Sequence, residues 1–148
     1  MNGYVISKYD KSNKRCLNDW TSISDVGKTF FDGLLTKDKY IKTENNYLSF
    51  IEEFLGLAQI SEMSVSSLES SRRIKWKNDE ILYIDEILKF CRGVLREEYW
   101  GKLSGNRSYI HFGYDYYIYI GAELDCEAVN CIAKKHGLFC GEITSPYM

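Results

Sequence analysis

The sequence predicts an α+β fold: a single mixed β-sheet of about five strands, packed with helices, in the rough order βαβαββαβ. Three observations lead there. Two long segments repeat apolar residues at three- and four-residue steps, the period of a helix buried on one side. Several short runs rich in Tyr, Ile and Val alternate between apolar and polar, as half-buried strands do. At 148 residues, with 45% hydrophobic and 27% charged side chains, the chain suits one domain with its own core, and no linker or repeat divides residues 1–148.

The elements follow in order. Residues 3–9 read as a strand, ending in the polar run 10–15. Ser24 and Asp25 signal a helix start, but Gly27 and Gly33 leave room only for a short turn. Thr36 opens a helix to about Leu57, with Tyr40, Tyr47, Ile51, Phe54, Leu55 and Ala58 as its apolar stripe. Met63, Val65 and Leu68 mark a weaker strand, and 69–79 an exposed, partly basic loop. A second long helix is predicted over 81–100, with a seam of Ile84, Leu88, Cys91 and Leu95 flanked by Ile87 and Val94, stopped by 101–106. Two β-rich runs in 108–121 flank Gly113, Tyr114 and Asp115 as a hairpin. Tyr116, Ile118 and Ile120 would share one face, and Tyr117 and Tyr119 the other. A short helix opens at Asp125 and closes at Gly137, before a last strand at 138–144.

The bulk composition narrows function. No basic segment followed by an apolar run opens the chain, and no stretch approaches the roughly 18 apolar residues of a membrane span. Five cysteines without paired spacing fit a reducing compartment, so a cytoplasmic protein without a membrane partner is expected. Charge is uneven. Residues 1–43 hold eight basic and five acidic side chains, whereas 79–127 hold five basic and ten acidic. An acidic half disfavours nucleic acid and suits a basic protein partner. The 12 Tyr, 7 Phe and 3 Trp suit both a core and a recognition surface.

Motifs for chemistry are wanting. Gly27-Lys28-Thr29 resembles the end of a phosphate-binding loop, but Ser22 stands where the second glycine is needed. Cys126, Cys131 and His136 are spaced by five on a predicted helix; each step turns about 140°, so the three diverge and no metal site is expected. An acid/base role for His111 or His136 would need a cleft with a basic group beside it. Cys91 sits on an apolar seam, as a buried small hydrophobe does. Neither cofactor nor catalytic residue is expected, and the chain is read as a binding protein rather than an enzyme.

One set of residues carries a family likeness. It comprises 20–28 (Trp-Thr-Ser-Ile-Ser-Asp-Val-Gly-Lys), Leu35 with Tyr40, Glu44 and Tyr47, then Leu95-Arg96-Glu97 with Trp100. It continues through 111–119 (His-Phe-Gly-Tyr-Asp-Tyr-Tyr-Ile-Tyr), Gly137-Leu138-Phe139 and Ser145-Pro146-Tyr147. In these the chain resembles the immunity proteins of bacterial contact-dependent growth inhibition systems, the CdiI type. It departs at Cys140-Gly141 and in the extra strand within 1–10. The resemblance implies an antidote that binds the C-terminal domain of one cognate toxin, often a nuclease and here an RNase, and blocks it. The expected toxin-binding residues are Tyr114, Asp115, Tyr117 and Tyr119, with Glu97, Glu98, Glu123 and Asp125 near them in sequence, because Tyr anchors and desolvated carboxylates serve tight interfaces. Plain turn chemistry at 113–115 is the alternative for those residues. A self-associating adaptor and a small RNA-processing enzyme are the other function classes, and the oligomeric state is left open.

Overall fold

Each helix has a legible cause in the chain. In the computed structural model, which describes residues 1–10 and 18–148, α1 (Lys37–Leu57) starts where Thr36 accepts the Lys39 N–H at 3.2 Å. The polar run at 10–15 falls, from residue 11 on, outside the described residues. α2 (Ile84–Leu95) follows directly on a strand, and α3 (Cys126–Lys135) is capped by Asp125, whose carboxylate accepts the Ala128 N–H at 2.8 Å. Gly137, at φ +71°, closes α3 in the left-handed conformation that glycine tolerates. Near the start, Ser22 and Asp25 cap a single 3-10 turn, Ile23–Asp25.

The strands are β1 (Asn2–Ser7), β2 (Thr29–Phe30), β3 (Gly33–Leu34), β4 (Glu62–Glu69), β5 (Ile81–Tyr83), β6 (Trp100–Gly105), β7 (Ser108–Phe112), β8 (Ile118–Ala122) and β9 (Phe139–Glu142). β2 and β3 pair alone as a small ribbon. The other seven form one sheet in the order β5-β4-β6-β7-β8-β1-β9, and every neighbouring pair is antiparallel. The fold is therefore α+β, but the sheet is antiparallel rather than mixed and has seven strands rather than about five. Its topology gives the reason. Helix α2 links β5 to β6, and α3 links β8 to β9, each a crossover between strands that run the same way. In both cases a third strand, β4 or β1, fills the slot between them and restores antiparallel pairing.

The predicted helix over 81–100 is three elements. Ile81 and Tyr83 are exposed and Leu82 is buried, the alternation of an edge strand. The helix stops at Arg96 because Glu97 turns left-handed, at φ +60°. The Glu98 N–H then returns to the Gly93 carbonyl and the Glu97 N–H to that of Val94, both at 3.0 Å. Residues 101–106, expected to end the helix, lie in β6 and the turn after it. The α2 seam centres on Ile87, Phe90, Cys91 and Val94, with Ile84 and Leu88 only half-buried.

Helix α1 touches both α2 and α3, and together they cover one face of the sheet. The core lies between: Tyr4, Ile6, Val65, Leu103, Ile110, Ile118 and Ile120 from strands meet Tyr47, Phe50, Ile51, Phe54, Phe90 and Val129 from helices. The opposite face presents Tyr109, His111 and Tyr119, and residues 143–148 run over it. There the Ile143 N–H bonds the Gly3 carbonyl at 3.0 Å, and Ser145 Oγ lies 2.7 Å from His111 Nδ1. No described helix is long and apolar enough to cross a membrane.

Candidate binding surface at the 113–117 turn

β7 and β8 are joined by a turn of unusual composition. The Tyr117 N–H bonds the Tyr114 carbonyl at 3.3 Å, with Asp115 and Tyr116 between them at φ +62° and +68°. Two left-handed residues make the type I′ turn, whose twist matches that of the flanking strands and which usually selects Asn-Gly. Tyrosine at the second position is strained, by roughly 1–3 kcal/mol.

The surroundings of Tyr116 offset that strain. Its ring is 4% exposed and packs edge-on against Tyr47 and Trp20, with centroids 4.9 and 5.2 Å away. Its hydroxyl donates to Tyr40 Oη at 2.6 Å, and Tyr40 donates to Glu44 at 2.8 Å. Glu44, 1% exposed, then receives both arms of Arg96 at 2.7 and 2.8 Å. Tyr47 Oη donates to the Tyr116 carbonyl at 2.8 Å and accepts the Lys8 N–H at 2.6 Å. Burial raises the pKa of Tyr116, Tyr40 and Tyr47, so all three stay protonated donors, while the bonds to Glu44 hold Arg96 charged. Since Arg96 caps α2 beside Glu97, this relay ties the 113–117 turn to the 96–99 turn.

Between those turns lies a cleft of about 390 Å³. Val94, Leu95, Phe112 and Trp100 give it an apolar wall; Glu97, Asp115 and Tyr114 stand around it. Tyr114 is 85% exposed, more than any other large apolar or aromatic side chain described. On its other side a second cleft is lined by Glu69, Trp100, Gly113, Tyr114 and Tyr147. Among the described residues, Glu69, Glu97 and Asp115 make no ion pair.

The structure thus brings Tyr114, Asp115 and Glu97 to one cleft, and the other expected residues do not line it. Tyr117 is half-buried, its ring 5.3 Å from that of Tyr9. Tyr119 lies on the sheet's outer face against Tyr147, at 5.9 Å. Glu98 turns to a different cleft, shared with Lys75, Lys89 and Arg92. Glu123 and Asp125 follow the far end of β8, about 20 Å along the strand from the turn. There Glu123 pairs with the Met1 amino group at 2.9 Å and Arg107 at 2.6 Å, and Asp125 spends its carboxylate capping α3.

Trp100 and Tyr147, which were not among the expected contact residues, and Glu69, which falls in the predicted 69–79 loop, all border the exposed Tyr114. Glu44 carried a readable signal, a carboxylate in step with Tyr40, Tyr47 and Ile51 on an apolar stripe.

Neither histidine borders the turn. His111 is 4% exposed; burial, with Lys102 nearby, lowers its pKa to about 4. His136 Nε2 lies 2.6 Å from Glu53 Oε2 and ties α3 to α1. Cys91 is buried, which pushes its thiol pKa up, whereas Cys126 and Cys131 are exposed. No group of three metal-ligating side chains gathers among the described residues. Comparison with known proteins leaves this geometry to stand alone, since no family model, curated protein or solved structure matches the chain.

Proposed function

We propose that this protein is an immunity protein that neutralises a cognate toxin by direct binding, with the 113–117 turn and the cleft beside Glu97 as its contact surface. One observation supports it above the others. A strained turn is anchored by a buried tyrosine while its neighbour Tyr114 stands 85% exposed. Backbone strain persists where surrounding structure over-determines it, and such sites cluster at ligand contacts. A turn held in one backbone conformation lowers the ordering cost of association. The unpaired carboxylates of Glu97 and Asp115 complement a basic partner, as RNA-cleaving proteins commonly are. Binding of this kind requires no catalytic group on the chain.

The test is capture of the toxin C-terminal domain encoded immediately upstream, with growth rescue as the second readout. Wild-type protein should capture it stoichiometrically and restore growth. Tyr114→Ala should weaken capture by about 2 kcal/mol, roughly thirtyfold, the loss expected for a central aromatic anchor. Asp115→Asn should slow association with little change in stability. Full capture by both variants would move the contact surface elsewhere, and absence of capture by wild type would overturn the immunity function itself.

A further inference from the structure

We propose that the cleft bounded by Trp100, Tyr114 and Tyr147, with Glu69 at its edge, seats an arginine side chain of a bound protein. The inference rests on the binding role proposed above and names the chemistry that role would recognise. The cleft, of about 390 Å³, is lined by three aromatic rings, one carboxylate and the bare backbone of Gly113, with no basic group among its lining residues. Aromatic faces attract cations through their quadrupole, and a guanidinium, planar and weakly hydrated, stacks on them better than an ammonium does.

Two of the three rings, Trp100 and Tyr147, are held in place before any partner arrives. Trp100 Nε1 donates to the Phe112 carbonyl at 3.0 Å, which fixes the indole. Tyr147 lies 5.5 Å from Trp100 at 54° between ring planes. Its N–H bonds Ser145 Oγ at 3.1 Å, and its carbonyl accepts Lys102 Nζ at 2.9 Å, which keeps that ammonium occupied. Glu69 is the cross-strand partner of Trp100 in the β4–β6 ladder, past an irregularity between Ser66 and Glu69, and both side chains border the cleft. At Gly113 an added Cβ would meet the Tyr119 ring at 3.0 Å, so a larger residue there would press on that ring.

The experiment is a titration of the full chain with N-acetyl-arginine amide, followed through the Trp100 indole and Tyr114 amide resonances. A saturable shift at both is expected, with a Kd of about 1 mM for so small a ligand. It should weaken at least fivefold in Glu69→Gln and in Tyr147→Leu, both surface changes that leave the core intact. N-acetyl-norleucine amide, equal in apolar stem but uncharged, should produce no such shift. Equal shifts with norleucine, saturation that maps to other residues, or no saturation at roughly tenfold above 1 mM would each overturn the arginine site. Because this probe needs no toxin, the two proposals fail separately. Arginine binding without toxin capture would sink the immunity function alone. Toxin capture without arginine binding would sink the cleft assignment alone.

Discussion

Tyr116 occupies a backbone conformation that tyrosine rarely adopts, and its ring is what keeps it there. Tyr116→Gly would recover about 1–3 kcal/mol of strain but forfeit about 3–5 kcal/mol of buried aromatic packing. A net destabilisation of about 2 kcal/mol is expected in urea unfolding, and wild-type stability would show that ring burial does not hold the turn. Asp115→Asn should stay within about 0.5 kcal/mol of wild type, because Asn suits a left-handed turn position. Its partner binding then reports on charge alone. Glu44→Gln should be costlier, about 3 kcal/mol, because it leaves the Arg96 guanidinium without its counter-charge. The double variant Glu44→Leu, Arg96→Met should lose less than Glu44→Gln, and a larger loss would mean the ion pair itself stabilises the fold. Legibility at this scale was uneven. A carboxylate on an apolar stripe announces a buried partner, but that partner lies 52 residues away and sequence does not name it. The turn was expected around Gly113, where glycine invites a positive φ. Instead the left-handed residues are Asp115 and Tyr116, and Gly113 lies close beneath the Tyr119 ring, which an added Cβ would meet at 3.0 Å.

Among the elements, the end of α2 shows why a boundary can hide. The left-handed position that closes a helix usually holds glycine; here it holds Glu97, so the nearest visible stop signal was Gly101, already inside β6. By contrast the start of α1 and both ends of α3 were readable, since Thr36, Asp125 and Gly137 are ordinary cap residues. Segment 143–148 has no periodic signal at all, yet it covers the outer face of the sheet and buries His111 against Ser145. That burial has a pH consequence. A histidine that titrates near pH 6.5 unfolded but at about 4 folded binds its proton only in the unfolded chain across that window. Stability should therefore fall as pH drops from 6.5 towards 4, by on the order of 3 kcal/mol from this residue. Deleting residues 144–148 should let water reach the imidazole, raise its pKa towards 6.5 and flatten that slope. The same deletion should cost about 1–3 kcal/mol at pH 7 through lost ring burial and hydrogen bonds. Imidazole NMR titration of both chains checks the shift, and an unchanged pKa would show that strand packing, not the segment, desolvates His111.

For the whole molecule, the strand at 2–7 matters more than its place in the chain implies. In the resemblance it was an extra strand without a position; in the sheet β1 fills the slot between β8 and β9 and pairs with both. Pattern could reveal strands and helices, because burial imposes periods of two and 3.6 residues along the chain. It could not reveal that each helix-linked pair of strands, β5 with β6 and β8 with β9, is split by a third. That choice is made by contacts distant in sequence, and it turned an expected mixed sheet into an antiparallel one. The candidate site shares the limit: Tyr114, Asp115 and Glu97 were named, but Glu69 and Trp100 come together only through the β4–β6 pairing. Removing residues 1–8 should therefore do more than trim an end. It would strip Tyr4 and Ile6, 1% and 0% exposed, from the core and leave β8 and β9 with unpaired edges facing each other. The shortened chain should lose its cooperative urea transition and its near-UV circular dichroism while retaining helical signal, as a compact but loosely packed state does. A synthetic peptide of residues 1–10 should restore both by adding the missing strand, through the main-chain pairing and the burial of Tyr4 and Ile6 that β1 supplies in the intact chain. Cooperative unfolding without the peptide would show that β1 is an accessory to the sheet, whereas restoration by the peptide would show that the fold closes only when its first strand reaches the slot between β8 and β9.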